Sequence, residues 1–207
     1  MELIQIIKVL YGGKQAVNKS AIKCINEMVF MDRINLFEKP DVILYHPGHF
    51  PELNEQLLDY FKKFGANLVL IPNVYNDFLK CNEYDFYAPL LIKEGIEKEK
   101  LMPIPTGNGL DGVKGVVHSA FMFLNNTSHK NILLAGKSFF CKRFYLLASI
   151  YANDKKVIDV LPLKDNREII PTKWIETEKG RARILNEIEQ YAKIVKDEII
   201  NEDFIYN

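Results

Sequence analysis

Asn131-Ile-Leu-Leu-Ala-Gly-Lys-Ser-Phe-Phe-Cys-Lys-Arg143 is an apolar run that breaks at a glycine and then turns basic. Ile132 to Ala135 has the length and flanks of a strand buried on both faces, and from Arg143 to Tyr151 the apolar residues resume at helical spacing. The order is strand, short loop, helix. In open α/β sheets ligands bind outside the carboxyl ends of the strands, where following helices aim unpaired N–H groups. Gly136, Lys137, Ser138 and Arg143 therefore stand where an anionic group would go.

Upstream, Val42 to Tyr45 reads as a buried strand running into the loop His46-Pro47-Gly48-His49. Pro51 lies near the start of a helix to Phe64, with Leu53, Leu57, Leu58 and Phe61 on one face. Leu68 to Ile71 is a second strand and Glu83 to Glu94 the next helix. Leu101 to Ile104 is a weak strand that Pro103 and Pro105 push to a sheet edge, and Val113 to Leu124 is an apolar helix. Downstream come a fifth strand, Val157 to Leu161, and a long helix near Trp174 to Ile200. Glu2 to Leu10 and Lys14 to Leu36 read as helices divided by Gly12-Gly13. The alternation predicts a three-layer Rossmann-like α/β fold with a mostly parallel sheet of about five strands. That domain spans residues 37–207, and residues 1–36 form a helical N-terminal extension packed on its core.

A chain of 207 residues that is 48% hydrophobic and 26% charged has ample core, which excludes disorder. Its 27 basic and 27 acidic residues cancel, so no overall field recruits nucleic acid or an anionic membrane, and any phosphate contact is local. Cys24, Cys81 and Cys141 are odd in number and widely spaced, as in reduced cytosolic proteins. No basic leader and no long apolar span is visible, and the expectation is a cytoplasmic protein.

Gly107-x-Gly109-x-x-Gly112 has the spacing of a dinucleotide fingerprint, but its strand is proline-broken. About 20 residues further on, Lys130 to Leu134 offers no carboxylate for a ribose, so a looser ligand loop or a plain turn fits better. His46-x-x-His49 with Glu52 lacks the helical geometry of a zincin, and no metal is expected there. Glu83 and Asp111 are candidates to take a hydroxyl or amine of a ligand. Arg143 opens a helix, where a cation is disfavoured, so it needs an anionic partner: a ligand, or an internal acid such as Glu83 or Asp111.

Taken in order, these pieces resemble the ElyC/SanA/YdcF family of bacterial proteins, a Rossmann-like group of unknown function with proposed S-adenosylmethionine binding. The resemblance runs from about Asp41 to the C-terminus. A strand ending in glycine matches Asp41 to Gly48, and a glutamate, helix, short strand and Thr/Asn-rich loop match Glu83, Leu90 to Ile96, Leu101 to Ile104 and Thr106 to Gly112. The strand with an arginine-led helix matches Ile132 to Arg143, and a Trp, Gly, Leu-x-Glu pattern matches Trp174, Gly180 and Leu185 to Glu187. The chain departs at Asn73-Val74, where paired glycines are common, and at Phe140, where many members carry a histidine.

Residues and resemblance together predict a YdcF-like cytosolic protein that holds an adenosyl, nucleotide-type or anionic small molecule, with S-adenosylmethionine as the cofactor candidate. Gly48, Asn73, Glu83, Asn108, Asp111, Lys137, Ser138 and Arg143 would line the site. The alternative is a non-enzymatic module with a decayed site, acting through its helices as a homo-oligomer or on a partner.

Overall fold

The computed structural model describes residues 18–104 and 112–200. The chain runs through α1 (Lys19–Val29), β1 (Val42–His46), α2 (Leu53–Phe64), β2 (Leu68–Pro72), β3 (Tyr75–Asn76), β4 (Cys81–Asn82) and α3 (Glu83–Lys93). It continues through β5 (Leu101–Ile104), α4 (Gly112–Leu124), β6 (Asn131–Lys137), α5 (Cys141–Tyr151), β7 (Val157–Leu163) and α6 (Glu178–Ile194). Five strands form one sheet in the order β5-β2-β1-β6-β7, and every neighbouring pair is parallel. The fold is Rossmann-like, and proline-bearing β5 takes an edge as expected.

Side chains alternate between two cores because successive residues of a strand point to opposite faces. Val42, Leu44, Ile132, Leu134 and Val160 pack with α1, α4, α5 and α6, whereas Ile43, Tyr45, Val69, Ile71 and Leu133 pack with α2 and α3. Asp41 ties the two central strands at their start, its Oδ2 accepting from the Lys130 and Asn131 amides at 2.7 and 2.9 Å.

Three features differ from the sequence reading. The helix expected over Lys14 to Leu36 is α1, which ends at Val29 with Phe30 in extended conformation. The cause is Asp159 of β7, fully buried, whose carboxylate accepts from the Ile34 and Leu36 amides at 2.8 and 3.2 Å and faces Arg33 at 3.5 Å. Arg33 also lies over the Tyr60 and Phe64 rings, so this segment straps edge strand β7 and carries the chain from the α1 face to the α2 face. The helix expected over Trp174 to Ile200 is a 3₁₀ turn (Trp174–Glu176), then α6, then a π turn (Val195–Ile200). Thr177 caps α6 by accepting from the Gly180 amide at 3.0 Å, and a Cβ at Gly180 would lie 2.2 Å from the Trp174 carbonyl oxygen. The third is the antiparallel hairpin β3–β4. The predicted helix Glu2 to Leu10 and the loop bearing Asn108 and Asp111 lie outside the described residues.

Asp159→Ala removes the carboxylate that accepts from the Ile34, Leu36 and Val160 amides and leaves Arg33 without its counter-charge. It is expected to destabilise the protein by about 3 kcal/mol in urea unfolding, and a loss below about 1 kcal/mol would show that the strap carries little.

Candidate functional site

The helix after β1 covers one face of the sheet and the helix after β6 the other, so the strand order reverses between these neighbours and leaves a crevice at their carboxyl ends. His46 pairs in register with Gly136, which sets the loop Pro47-Gly48-His49 beside Lys137-Ser138-Phe139. The Lys137 side chain crosses to the β1 loop, where its ammonium donates to the Pro47 carbonyl at 3.4 Å. Gly48 adopts φ +64°, which favours glycine, and a Cβ there would lie 2.9 Å from that nitrogen and push the lysine tip aside. Tyr87 of α3 fixes the loop by donating its hydroxyl to the Gly48 carbonyl at 2.9 Å.

Lys137 is only 7% exposed, and its ammonium, with three donors, makes that one long hydrogen bond. Burial lowers its pKa to about 8, with Arg183 and Arg167 contributing in the same direction and Glu83 and Asp165 opposing. Arg167 is paired with Asp165 and lies 4.1 Å from the centroid of Phe50. Arg183 faces Glu187 at 3.4 Å and Phe139 at 4.9 Å, and its Nε is buried without a partner. Glu83, 4% exposed at the start of α3, accepts from the Asn76 amide at 2.8 Å through Oε1, while Oε2 is buried and unpartnered. Burial lifts this carboxyl to about 7, against the Asn76 hydrogen bond and the charge of Lys137. Each of Glu83 and Lys137 feels the other's charge, yet they share no hydrogen bond.

The structure thus brings Gly48, Glu83 and Lys137 together. Asn73 follows β2 at the same end of the sheet, half-buried. The Ser138 hydroxyl donates to the Ile169 carbonyl at 3.0 Å and holds the loop after β7. Arg143 does find an internal acid, but the acid is Glu187 rather than Glu83: its Nε and one terminal nitrogen donate to the two carboxylate oxygens at 2.7 and 3.2 Å. With Gly112, Leu147 and Gln190, Arg143 lines a separate groove of about 280 Å³. Asn108 and Asp111 lie outside the described residues.

Arg167, Asp165 and Arg183 are the residues the sequence reading missed, and Glu187 was read there only as the end of the Leu185-x-Glu187 pattern. Their only local signals are the spacings Asp165-x-Arg167 and Arg183 to Glu187, the latter one helical turn. His46 packs against Phe140 and Phe144, and burial, with Lys137 second, lowers its pKa to about 3. The ring of His49 lies between those of Phe50 and Phe78. Among the described residues no three His, Cys, Asp or Glu side chains are grouped to hold a metal ion. A groove of about 530 Å³ between α2 and α3, with Pro51, Leu58 and Leu90 in its lining, is larger but lies on helix surfaces away from the strand ends.

Comparison with family models, curated proteins and solved structures finds no match. The chemistry of the crevice is therefore read from its own residues.

Two substitutions report on these charges. Arg143→Ala leaves a carboxylate that is 2% exposed short of its main partner and is expected to cost about 3 kcal/mol in urea unfolding. Unchanged stability would separate Arg143 from Glu187. For Glu83, the unfolded carboxyl ionises near 4.5 and the folded one near 7, so the unfolded state releases its proton first and stability falls as pH rises through that window. Glu83→Gln, which keeps an acceptor for Asn76, is expected to gain about 3 kcal/mol over wild type above pH 7 and nothing below pH 4. A pH-independent difference would contradict the raised carboxyl.

Proposed function

We propose that this protein binds a small anionic molecule of nucleotide type at the carboxyl ends of β1 and β6, with Lys137 and Arg167 meeting the anionic group. The observation that carries this reading is the Lys137 ammonium, buried to 7% exposure on one long hydrogen bond. A desolvated, under-paired cation costs several kcal/mol, and an anion beside it removes that cost. Arg183 adds to the field, and the free Glu83 Oε2 is placed to accept from a ligand hydroxyl or amine.

S-adenosylmethionine, the candidate from the YdcF-like resemblance, carries a sulfonium and an ammonium against one carboxylate. Among the charges that act on Lys137, Arg183 and Arg167 outweigh Glu83 and Asp165, which favours a phosphorylated ligand. Membership of the ElyC/SanA/YdcF family is itself part of the proposal. It is supported by a contact between two motifs read separately in the sequence, Arg143 with Glu187. A cytosolic setting is likewise part of the proposal; among the described residues no helix is long and apolar enough to cross a membrane. The second reading, a partner-binding module with a decayed site, draws on the Ser138 hydroxyl and the Arg143 guanidinium being engaged internally.

A thermal-shift comparison at pH 7 of inorganic phosphate, pyrophosphate, ADP and S-adenosylmethionine tests the proposal. A bound probe at about 100 times its Kd adds roughly 2.7 kcal/mol of stability. Lys137→Met is expected to stabilise the empty protein and abolish the response, and in wild type the response should fade as pH rises through about 8, where the ammonium loses its proton. No response to any probe, or an equal response in Lys137→Met, would overturn the proposal.

A further inference from the structure

The β3–β4 hairpin pairs only Tyr75 with Asn82 and Asn76 with Cys81, far too little for stability of its own. It is nevertheless fixed at both ends. The Asn76 side-chain Oδ1 accepts from the Phe78 amide at 3.1 Å, its side-chain NH₂ donates to Glu83 at 2.8 Å, and the Glu83 backbone amide donates to the Val74 carbonyl at 2.9 Å. These bonds hold the hairpin in place with the Phe78 ring 77% exposed.

A single exposed apolar ring needs no explanation. Phe78 differs because it is the outer rung of a ladder. Its ring stacks on His49 at 4.2 Å and 25°, His49 lies 4.1 Å from Phe50, and Phe50 carries Arg167 at 4.1 Å and Lys137 at 4.9 Å. Rings therefore run without a gap from solvent to the buried ammonium. The middle rung is a neutral plane, since burial and the nearby Lys137 and Arg167 hold His49 below its ordinary pKa. An anionic ligand with no flat group would leave this ladder unused.

We propose that Phe78 is the base-stacking platform for a nucleotide whose phosphate meets Lys137 and Arg167. The proposal rests on the anion site described above. Stacking on an aromatic ring accepts any base, because every base has a π face, so the platform selects nucleotides as a class and not one base.

Titration calorimetry of the full chain with AMP, ribose 5-phosphate and inorganic phosphate separates the two ideas. AMP and ribose 5-phosphate share the phosphate and the sugar and differ by the base. AMP is expected to bind roughly tenfold tighter or more. Phe78→Ala, on a side chain outside the core, should bring the two affinities together while leaving ribose 5-phosphate unchanged, and Phe78→Trp should restore the difference. Equal affinities in wild type, or a difference that survives Phe78→Ala, would remove the platform and leave the anion site standing. Failure of all three probes to bind, or binding undiminished in Lys137→Met, would remove the anion site and the platform with it.

Discussion

In a parallel sheet each strand delivers its chain to the same end, and the covering helix decides which way the following loop turns. Between β1 and β6 the loops turn to opposite faces, and the pairing of His46 with Gly136 sets their first residues at one level. That pairing is the constraint on which the crevice depends. It brings Lys137 to Gly48, lets Tyr87 reach the Gly48 carbonyl, and confines His46 among Phe140 and Phe144. A register slip of one residue would invert the faces of β1 and dismantle both cores as well as the crevice.

The cations around this point fall into two kinds. Arg143 holds both oxygens of Glu187 through two guanidinium nitrogens, the fork geometry that makes a largely buried arginine tolerable, and the more exposed Arg167 gives two nitrogens to one oxygen of Asp165. Lys137 has no such partner, and its ammonium, on one hydrogen bond to the Pro47 carbonyl, feels the charges of Arg183 and Arg167. Glu83 is its counterpart, a buried carboxyl with one oxygen bonded and one bare. Groups left unsatisfied in this way sit where chemistry or recognition is arranged far more often than in the body of a core.

The sheet was legible because its signals are local. Apolar runs punctuated by Gly48, Gly65, Gly95 and Gly136 mark the strand and helix ends, and Pro103 assigns β5 to an edge. Lys137 was legible for the same reason, as it directly follows an apolar run. The extended segment after α1 was not, because its helical pattern is overruled by a carboxylate 125 residues away. Strands of two residues have no period to detect, so the hairpin carrying Phe78 was invisible. Arg167 sits in a loop and Arg183 on an ordinary amphipathic helix, and only the fold turns both toward Lys137. The partner of Arg143 was missed because Glu187 lies 44 residues further along the chain.

The strap from Arg33 to Leu36 also bears on how the chain is made. It is synthesised well before β7, and its amides wait for Asp159, 125 and 123 residues later. A growing chain cannot close this contact until β7 has been translated, and contacts so distant in sequence are slow to form. Until then a ribosome stalled before β7 would hold a strap whose amides have no acceptor. The contact thus makes docking of the strap a report that β7 has arrived.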